Sequence, residues 1–395
     1  MNSDIIVIGA GAVGASAGLQ LARLGLHVTI LEKESAPAQH QSSRNSGVIH
    51  AGYNLKPGSL KARLCVEGSR RLRAYCRERG IPMFQGGILV VARQEHETAT
   101  LAELLRRAQA NGVEAHILSA AELRRVEPAA SGIQALHAPE GASFDAESYV
   151  RSLLEDAKAA GAELRLSTAV RSIAEDGAGV TLNTTAGPLT ARLVLNCAGL
   201  HADRLAGPLA RDLRIIPFRG YYAELDPGAR PLVNSHIYAA PDLEFPFLGV
   251  HLSRRADGRV TIGPGAMLAF GREAYSFFAL NARDLFATLT WPGFYRMMRG
   301  PRFLRLAYDE TLKSLALGRV WREARLLVPA LERRHMRRSF AGNRAQMVSR
   351  DGRLLDDILV RETARTMHVL NAVSPGLTGS LPFGEYLAEL CNKKL

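Results

Sequence analysis

Three glycines near the start of the chain carry its clearest chemistry. Gly9-Ala-Gly11-Ala12-Val13-Gly14 follows a short apolar run, Ile5 to Ile8, and precedes Ala15 to Leu24, where apolar residues recur at helical spacing. The order is strand, tight turn, helix. Gly9 permits the turn, Gly11 lets the backbone approach a pyrophosphate, and Gly14 lets helix and strand pack closely. The helix N-terminus then offers N–H groups and a positive dipole to the phosphates. A second apolar strand, His27 to Leu31, ends at Glu32, about 20 residues beyond the glycines, where a carboxylate accepts ribose hydroxyls. Together these parts predict a bound dinucleotide, with Lys33 beside the acid.

Other chemistries lack their residues. The eleven His are dispersed, with no His-Glu-x-x-His and no Cys/His spacing of a zinc site, so no metal is expected. There is no Gly-x-Ser-x-Gly, which removes support for a hydrolase. No second Gly-x-Gly-x-x-Gly follows, which argues against a reductase with separate FAD and NAD(P) domains. The four Cys, at 65, 76, 197 and 391, form no Cys-x-x-Cys pair and read as reduced, mostly buried thiols.

The elements that must position this chemistry need a large core. At 395 residues, 47% hydrophobic and 22% charged, the chain fits one large or two interleaved α/β domains and excludes collagen, coiled-coil, mucin-like and disordered classes. Ala146 to Ala160 reads as helix and Glu163 to Leu166 as strand. Gly179 to Asn183 with Leu189 to Leu195 reads as a hairpin returning to the sheet. The strand Arg192 to Asn196 ends at Cys197-Ala198-Gly199, small residues that leave room for a cofactor. Residues 211 to 270 alternate short β runs with turns, as an antiparallel cap would, and 281 to 335 read mainly helical with a break at Pro292-Gly293. A final helix is expected over Leu377 to Leu390. The net charge of +12 is dominated by Arg, since seven of the fifty basic residues are Lys. The Arg residues are scattered without a nucleic-acid motif, so no nucleic-acid partner is expected. No apolar run approaches the ~18 residues of a membrane span, and Met-Asn-Ser-Asp lacks the basic start of a secretory signal, which predicts a cytoplasmic protein.

Beyond the dinucleotide unit, Gln41-Ser42-Ser43-Arg44-Asn45-Ser46-Gly-Val-Ile-His50-Ala-Gly-Tyr53 resembles the flavin loop of FAD-dependent L-2-hydroxyglutarate dehydrogenases and oxidases, in the D-amino-acid oxidase superfamily. The resemblance continues through Lys56 to Cys65, Pro217-Phe-Arg-Gly220, Phe245 to His251 and Gly263-Pro-Gly265. It ends with Asn343-Arg-Ala-Gln346, Arg350-Asp-Gly352 and Asn371-Ala-Val-Ser-Pro375, in the family's order over nearly the whole chain. The sequence departs from the family at Tyr221-Tyr222, where members often carry an acid, and in a final loop poorer in Ala.

The resemblance implies an α/β fold: a Rossmann-type FAD-binding domain with an inserted, mainly antiparallel β substrate (cap) domain. The FAD domain would comprise 1–80, 146–210 and 336–395, and the cap 81–145 and 211–335. It implies FAD contacts from the glycine turn, from 41–46, and from Val170, Ala198, Gly199 and Gly342. The loop Ser374-Pro375-Gly376-Leu377-Thr378 would present helix N–H groups to the flavin edge that becomes anionic on reduction; the alternative is a turn capping an ordinary helix. No Cys lies in either flavin loop, so the FAD should be non-covalent.

The implied reaction is oxidation of a 2-hydroxy acid, most directly L-2-hydroxyglutarate to 2-oxoglutarate. His50 is the candidate base, since histidine titrates near neutral pH; the alternative is a loop histidine bonded to backbone. Arg219 and Arg344 are the candidate carboxylate clamps, because a guanidinium can bind a carboxylate through two parallel hydrogen bonds. Tyr53 and Tyr238 are candidate hydroxyl donors. His251 would point from a cap strand toward the pocket, or be a core histidine. Electrons would pass to a quinone, another carrier or oxygen. Phe286 to Leu306 mixes aromatic and Arg residues as interfacial membrane segments do, which raises a peripheral contact with the inner membrane face against a plain cap helix. The rival readings are an amine, amino-acid or glycerol-3-phosphate flavoenzyme, and a flavoprotein without turnover.

Overall fold

Strand Ser3–Ile8 is buried along nearly its whole length, as a strand covered on both faces must be. It lies at the centre of the first sheet, in a computed structural model that describes residues 3–177, 179–243, 249–372 and 374–395. Phe245 to Leu248 of the family-like Phe245–His251 block, and Val373 of the last one, lie outside the described residues.

Among the described residues this sheet has eight strands. Ser3–Ile8 pairs in parallel with Val28–Leu31 and with Gly187–Asn196, and Thr366–Asn371 adds in parallel to the latter. The antiparallel hairpin Val180–Thr184 with Gly187–Asn196 sits where the sequence placed it. Helix Ala12–Arg23 crosses one face and packs on Ala146–Ala159 and on Ser380–Asn392. That last contact is close: a Cβ on Gly384 would stand 2.2 Å from Ser16 Oγ. Two helix starts are fixed by capping side chains. Asp145 accepts from the Glu147 and Ser148 amides, and Ser59 accepts from Ala62 at the head of Leu60–Glu78. The final helix begins at Ser380, three residues later than its apolar pattern predicts, because Ser374 to Gly379 form turns.

Among the described residues the second sheet has nine strands and is mainly antiparallel, with one parallel pair between His236–Ala239 and Ile88–Ala92. Its backbone is the long pair Leu213–Leu225 with Met336–Ser349. Residues 336–349 therefore pair with the cap sheet, although the sequence grouping set them in the FAD domain. A third, small sheet pairs Ala142–Phe144 with Val48–Ile49 and with Met83–Phe84. Helices Ala282–Leu289, Pro292–Met298, Pro301–Leu315 and Leu317–Leu327 cover the cap; the break falls at 290–291, and Pro292-Gly293, expected to be the break, instead open the second helix, where proline suits the first position. Trp291, Met297 and Phe303 are buried against Ile216, Phe218 and Val348, so part of the aromatic content of 286–306 is core.

Candidate active site

A cavity of about 1410 Å³ runs from the carboxyl ends of the parallel strands to the cap sheet. At its first end, Gly9 has φ +100°, and a Cβ there would meet the Cys197 carbonyl at 2.7 Å. A Cβ on Gly14 would lie 1.9 Å from the Gly9 carbonyl, so Gly14 acts beneath the turn and is not part of the cavity wall. Glu32 closes the same turn. Its carboxylate accepts from the Ala10 amide at 2.9 Å and the Glu34 amide at 3.0 Å while still lining the cavity.

The loop after Glu32 is fastened from three directions. Ser42 Oγ accepts from the Ala12 amide at 3.0 Å, Arg255 donates to the Asn45 carbonyl at 3.0 Å, and Thr378 Oγ1 accepts from the His50 amide at 3.2 Å. Asn45 braces the loop from within, donating to the Gln41 and Ser42 carbonyls. Arg44 donates to the Gln39 carbonyl and lies over the Tyr275 ring at 4.2 Å. Gly11, Ala12, Val13, Lys33, Gln41, Ser42, Arg44, Asn45 and Ser46 line the cavity from this side, Val170, Ala198 and Gly199 from another. Gly342 and Pro375 to Thr378 line its far end. Ser43 does not: its hydroxyl turns back to the Ala38 and His40 carbonyls.

Lys33 stands between Glu34 and Glu273, and His40 and His201 complete the cluster. Hydrogen bonding from His201, ahead of the opposing cost of burial and with Lys33 and His40 adding to it, holds the Glu273 carboxyl at about 2. Glu34, His40 and Glu273 bring ligand-type atoms within 4.8 Å of one another, but the Lys33 ammonium bonds both carboxylates. An ion-paired clasp between the flavin loop and the cap satisfies this geometry.

At the cap end the cavity wall brings together His50, Tyr238, His251 and Arg344. Tyr238 and His251 face each other across adjacent strands, their rings stacked at 4.2 Å. Burial, with the Arg344 charge adding to it, lowers His50 to about 4, so its ring is neutral and able to accept a proton at pH 7. Burial also pulls the Arg344 guanidinium down, opposed by Tyr222 and Glu310. Two expected substrate contacts are not on this wall. Arg219 is fully buried on the other face of its strand, donating to the Ala274 and Ser276 carbonyls and lying against the rings of Tyr221 and Phe277. It holds segment 274–276, together with Asn343, which donates to the Arg272 carbonyl at 2.8 Å. Tyr53 is buried in the apolar cluster of Val48, Ile88 and Tyr238.

Strand alternation explains where Arg219 lies. In Leu213–Leu225, Gly220 and Tyr222 reach the cavity, so Arg219 and Tyr221 must point away. Tyr222, stacked on Phe340 at 4.5 Å, is a wall residue that a period-2 reading of Pro217 to Leu225 would have found. Pairing of Phe218 with Arg344 and of Gly220 with Gly342 sends those two to the same face. Nothing in the sequence marks Glu273 and His201, which meet Lys33 and His40 only through tertiary packing.

Comparison with known proteins agrees with this geometry. The profile of the FAD dependent oxidoreductase (DAO) family matches residues 4–390. The chain belongs to that family. It is therefore an FAD-dependent oxidoreductase. An L-2-hydroxyglutarate dehydrogenase of Indibacter alkaliphilus is 36% identical over 100% of both chains. One of Escherichia coli K12 is 38% identical over 97% of this chain and 92% of its own, and the human mitochondrial one is 34% identical over 98% and 88%. In fold, L-alpha-glycerophosphate oxidase of Mycoplasma pneumoniae, with FAD bound, superimposes with a TM-score of 0.80 at 23% identity, covering 99% of this chain and 94% of that one. Glycine oxidase of Geobacillus kaustophilus gives 0.73 at 20%, covering 100% and 95%. The residues present fit FAD. The turn admits no Cβ at Gly9 or Gly14, Glu32 faces the cavity, and the loops around Ser42 and Thr378 border one continuous space.

Proposed function

We propose that this protein oxidises L-2-hydroxyglutarate to 2-oxoglutarate. The reading rests on the convergence of His50, His251, Tyr238 and Arg344 at one end of an FAD-sized cavity, in a chain that matches L-2-hydroxyglutarate dehydrogenases along almost all its length. FAD, when bound, supplies the hydride acceptor. Neutral His50 takes the proton of the C2 hydroxyl, and the Thr378 hydroxyl, by accepting from its backbone amide, fixes the main chain that carries the ring. Arg344 binds a carboxylate through its planar fork. The turns Pro375 to Thr378 line the cavity just before helix Ser380–Asn392, whose N-terminal dipole would favour negative charge there.

The FAD is read as non-covalent because neither flavin loop, 41–53 or 374–380, contains a Cys, although Cys197 lines the cavity beside the glycine turn. Acid precipitation should leave the flavin in the supernatant. The deciding test of the substrate is an anaerobic titration of the holoenzyme with L- and then D-2-hydroxyglutarate. Bleaching of the oxidised flavin band by the L form alone is the expected outcome; indifference to both isomers overturns the substrate.

A second reading concerns the electron acceptor. No helix among the described residues is long and apolar enough to cross a membrane. However, Phe278, Phe286 and Tyr308 are 93%, 69% and 65% exposed, in a stretch of chain that also exposes Arg283, Arg296, Arg299, Arg302 and Arg305. We infer that this face rests on an anionic bilayer from the cytoplasmic side, where a quinone would receive the electrons.

A further inference from the structure

One face of the strand pair His236–Ala239 and His251–Arg254 carries four polar side chains. The register sets His236 opposite Ser253 and Tyr238 opposite His251, so alternation sends all four to one side. Ile237 and Leu252 enter the core on the other. None of the four is more than 4% exposed. A buried polar group without a partner costs about 1–3 kcal/mol. Five such atoms lie here: both ring nitrogens of His236, the hydroxyls of Tyr238 and Ser253, and His251 Nε2. The Tyr238 hydroxyl approaches that of Ser253 but falls short of hydrogen-bond geometry. Tyr238 and His251 stand on the cavity wall, with His236 and Ser253 behind them. The face is built to receive a polar group from the cavity.

The tautomer of His251 is set by its neighbour. Its Nδ1 lies 3.2 Å from the Gly249 carbonyl, which can only accept, so Nδ1 carries the hydrogen. In the neutral ring Nε2 is then a bare acceptor, and it would repel a carboxylate. A proton added at Nε2 leaves the Gly249 bond intact and makes Nε2 a donor. The resulting cation would lie flat against the Tyr238 ring, 4.2 Å away and 16° from parallel, where an aromatic face attracts positive charge. The groups that face His251 are His50, His236, Tyr238 and Arg344, and Arg344 in turn faces Tyr222 and Glu310. Among the described groups that face His251, Arg344 is the one cation at neutral pH, against two charges on a dicarboxylate; Lys56, Lys61 and Arg107 also line the cavity but are not among the groups that act on the His251 ring.

We propose that His251 takes up a proton when the dicarboxylate binds and, as imidazolium, holds the carboxylate that Arg344 does not. The proposal rests on the dicarboxylate reading above and adds its mode of recognition. Without a bound anion, burial keeps the His251 ring neutral at about 3; the Gly249 carbonyl opposes this, and His50, Arg344 and His236 add to it. A nearby carboxylate acts in the opposite direction. Binding is then coupled to proton uptake, and affinity falls towards tenfold per pH unit on the alkaline side, up to the ring's raised value in the complex.

The test is calorimetric titration of the FAD-loaded enzyme with 2-oxoglutarate, which it cannot oxidise, at pH 7 in buffers of different ionisation enthalpy. Close to one proton absorbed per site is expected. His251→Gln keeps a neutral donor and should bind more weakly with no proton absorbed, while His50→Asn and Tyr238→Phe should keep the uptake. Wild-type binding without proton uptake overturns the proposal with no recourse to any variant. So does uptake that survives His251→Gln or vanishes in His50→Asn. Each of those results leaves the substrate reading standing, whereas failure of any dicarboxylate to bind overturns both.

Discussion

Replacing Gly342 by alanine should weaken FAD binding while sparing the fold. Gly342 lies in strand Met336–Ser349, opposite Gly220, and a Cβ there would stand 1.9 Å from the Arg44 carbonyl oxygen and 3.3 Å from the Arg44 Cβ. Real Cβ contacts do not fall below 3.0 Å, so the loop must withdraw by at least about 1 Å. The strand cannot give way, because it is paired on both sides of this position with Leu213–Leu225. The loop can, but Arg44 is two residues from Ser42, whose hydroxyl holds the Ala12 amide at the head of the phosphate-facing helix. Overpacking of this kind costs about 1–3 kcal/mol. Because the free protein relieves the strain by shifting the loop, the cost falls on cofactor binding, a rise in Kd of about 5- to 150-fold. The assay is fluorescence titration of the apoprotein with FAD, alongside urea denaturation of the same sample. Gly228→Ala is the control, since nothing lies within 4 Å of a Cβ there. If Gly342→Ala binds FAD within twofold of wild type, the loop is not held against this strand as described.

His50→Asn should lower kcat by about 10²–10⁴-fold while the bound flavin keeps its spectrum; stopped-flow reduction measures it, and unchanged turnover removes His50 as the base. Asp203→Ala should cost about 3–5 kcal/mol in urea denaturation, because it strands the Arg272 guanidinium, 2% exposed, and frees the Ile215 amide. Burial raises the Asp203 carboxyl, but Arg272 brings it below its ordinary range. Its contribution is thus present above that range and lost as pH falls through the depressed value, so the variant's stability should fall less than wild type's between neutral pH and the acid limb. Phe286→Ser with Tyr308→Ser should reduce co-sedimentation with anionic vesicles at low salt and leave flavin reduction unchanged; equal binding by wild type and variant would place the contact elsewhere.

The sequence made the nucleotide half legible because its signals are local. Gly9, Gly14 and Glu32 each answer to steric or hydrogen-bonding demands within one strand–turn–helix unit, and the structure meets them there. The cap half depends on register. Arg219 and Arg344 look alike as residues, yet strand pairing sends one into the 274–276 segment and the other to the cavity. Residues 336–349 lie close in sequence to the final flavin loop, but their hydrogen bonds go to the other sheet. Lys33, His40, His201 and Glu273 could not be grouped beforehand, since the cluster joins segments more than 200 residues apart.

Thr378, whose hydroxyl meets the His50 amide and the Val48 carbonyl, imposes an order of events on synthesis. The first strand and the phosphate turn leave the ribosome early. Thr366–Asn371, which extends the central sheet, and Ser380–Asn392, which covers the first helix, follow only after the whole cap has been made. Cofactor loading must therefore wait until Thr366–Asn371 and Ser380–Asn392 have emerged. Until then the nascent chain exposes an apolar helix face and an unfinished sheet edge, which makes it a client for chaperones. A premature stop at Gly376 would abolish the flavoprotein and not merely trim it, because it removes Thr378 and helix Ser380–Asn392.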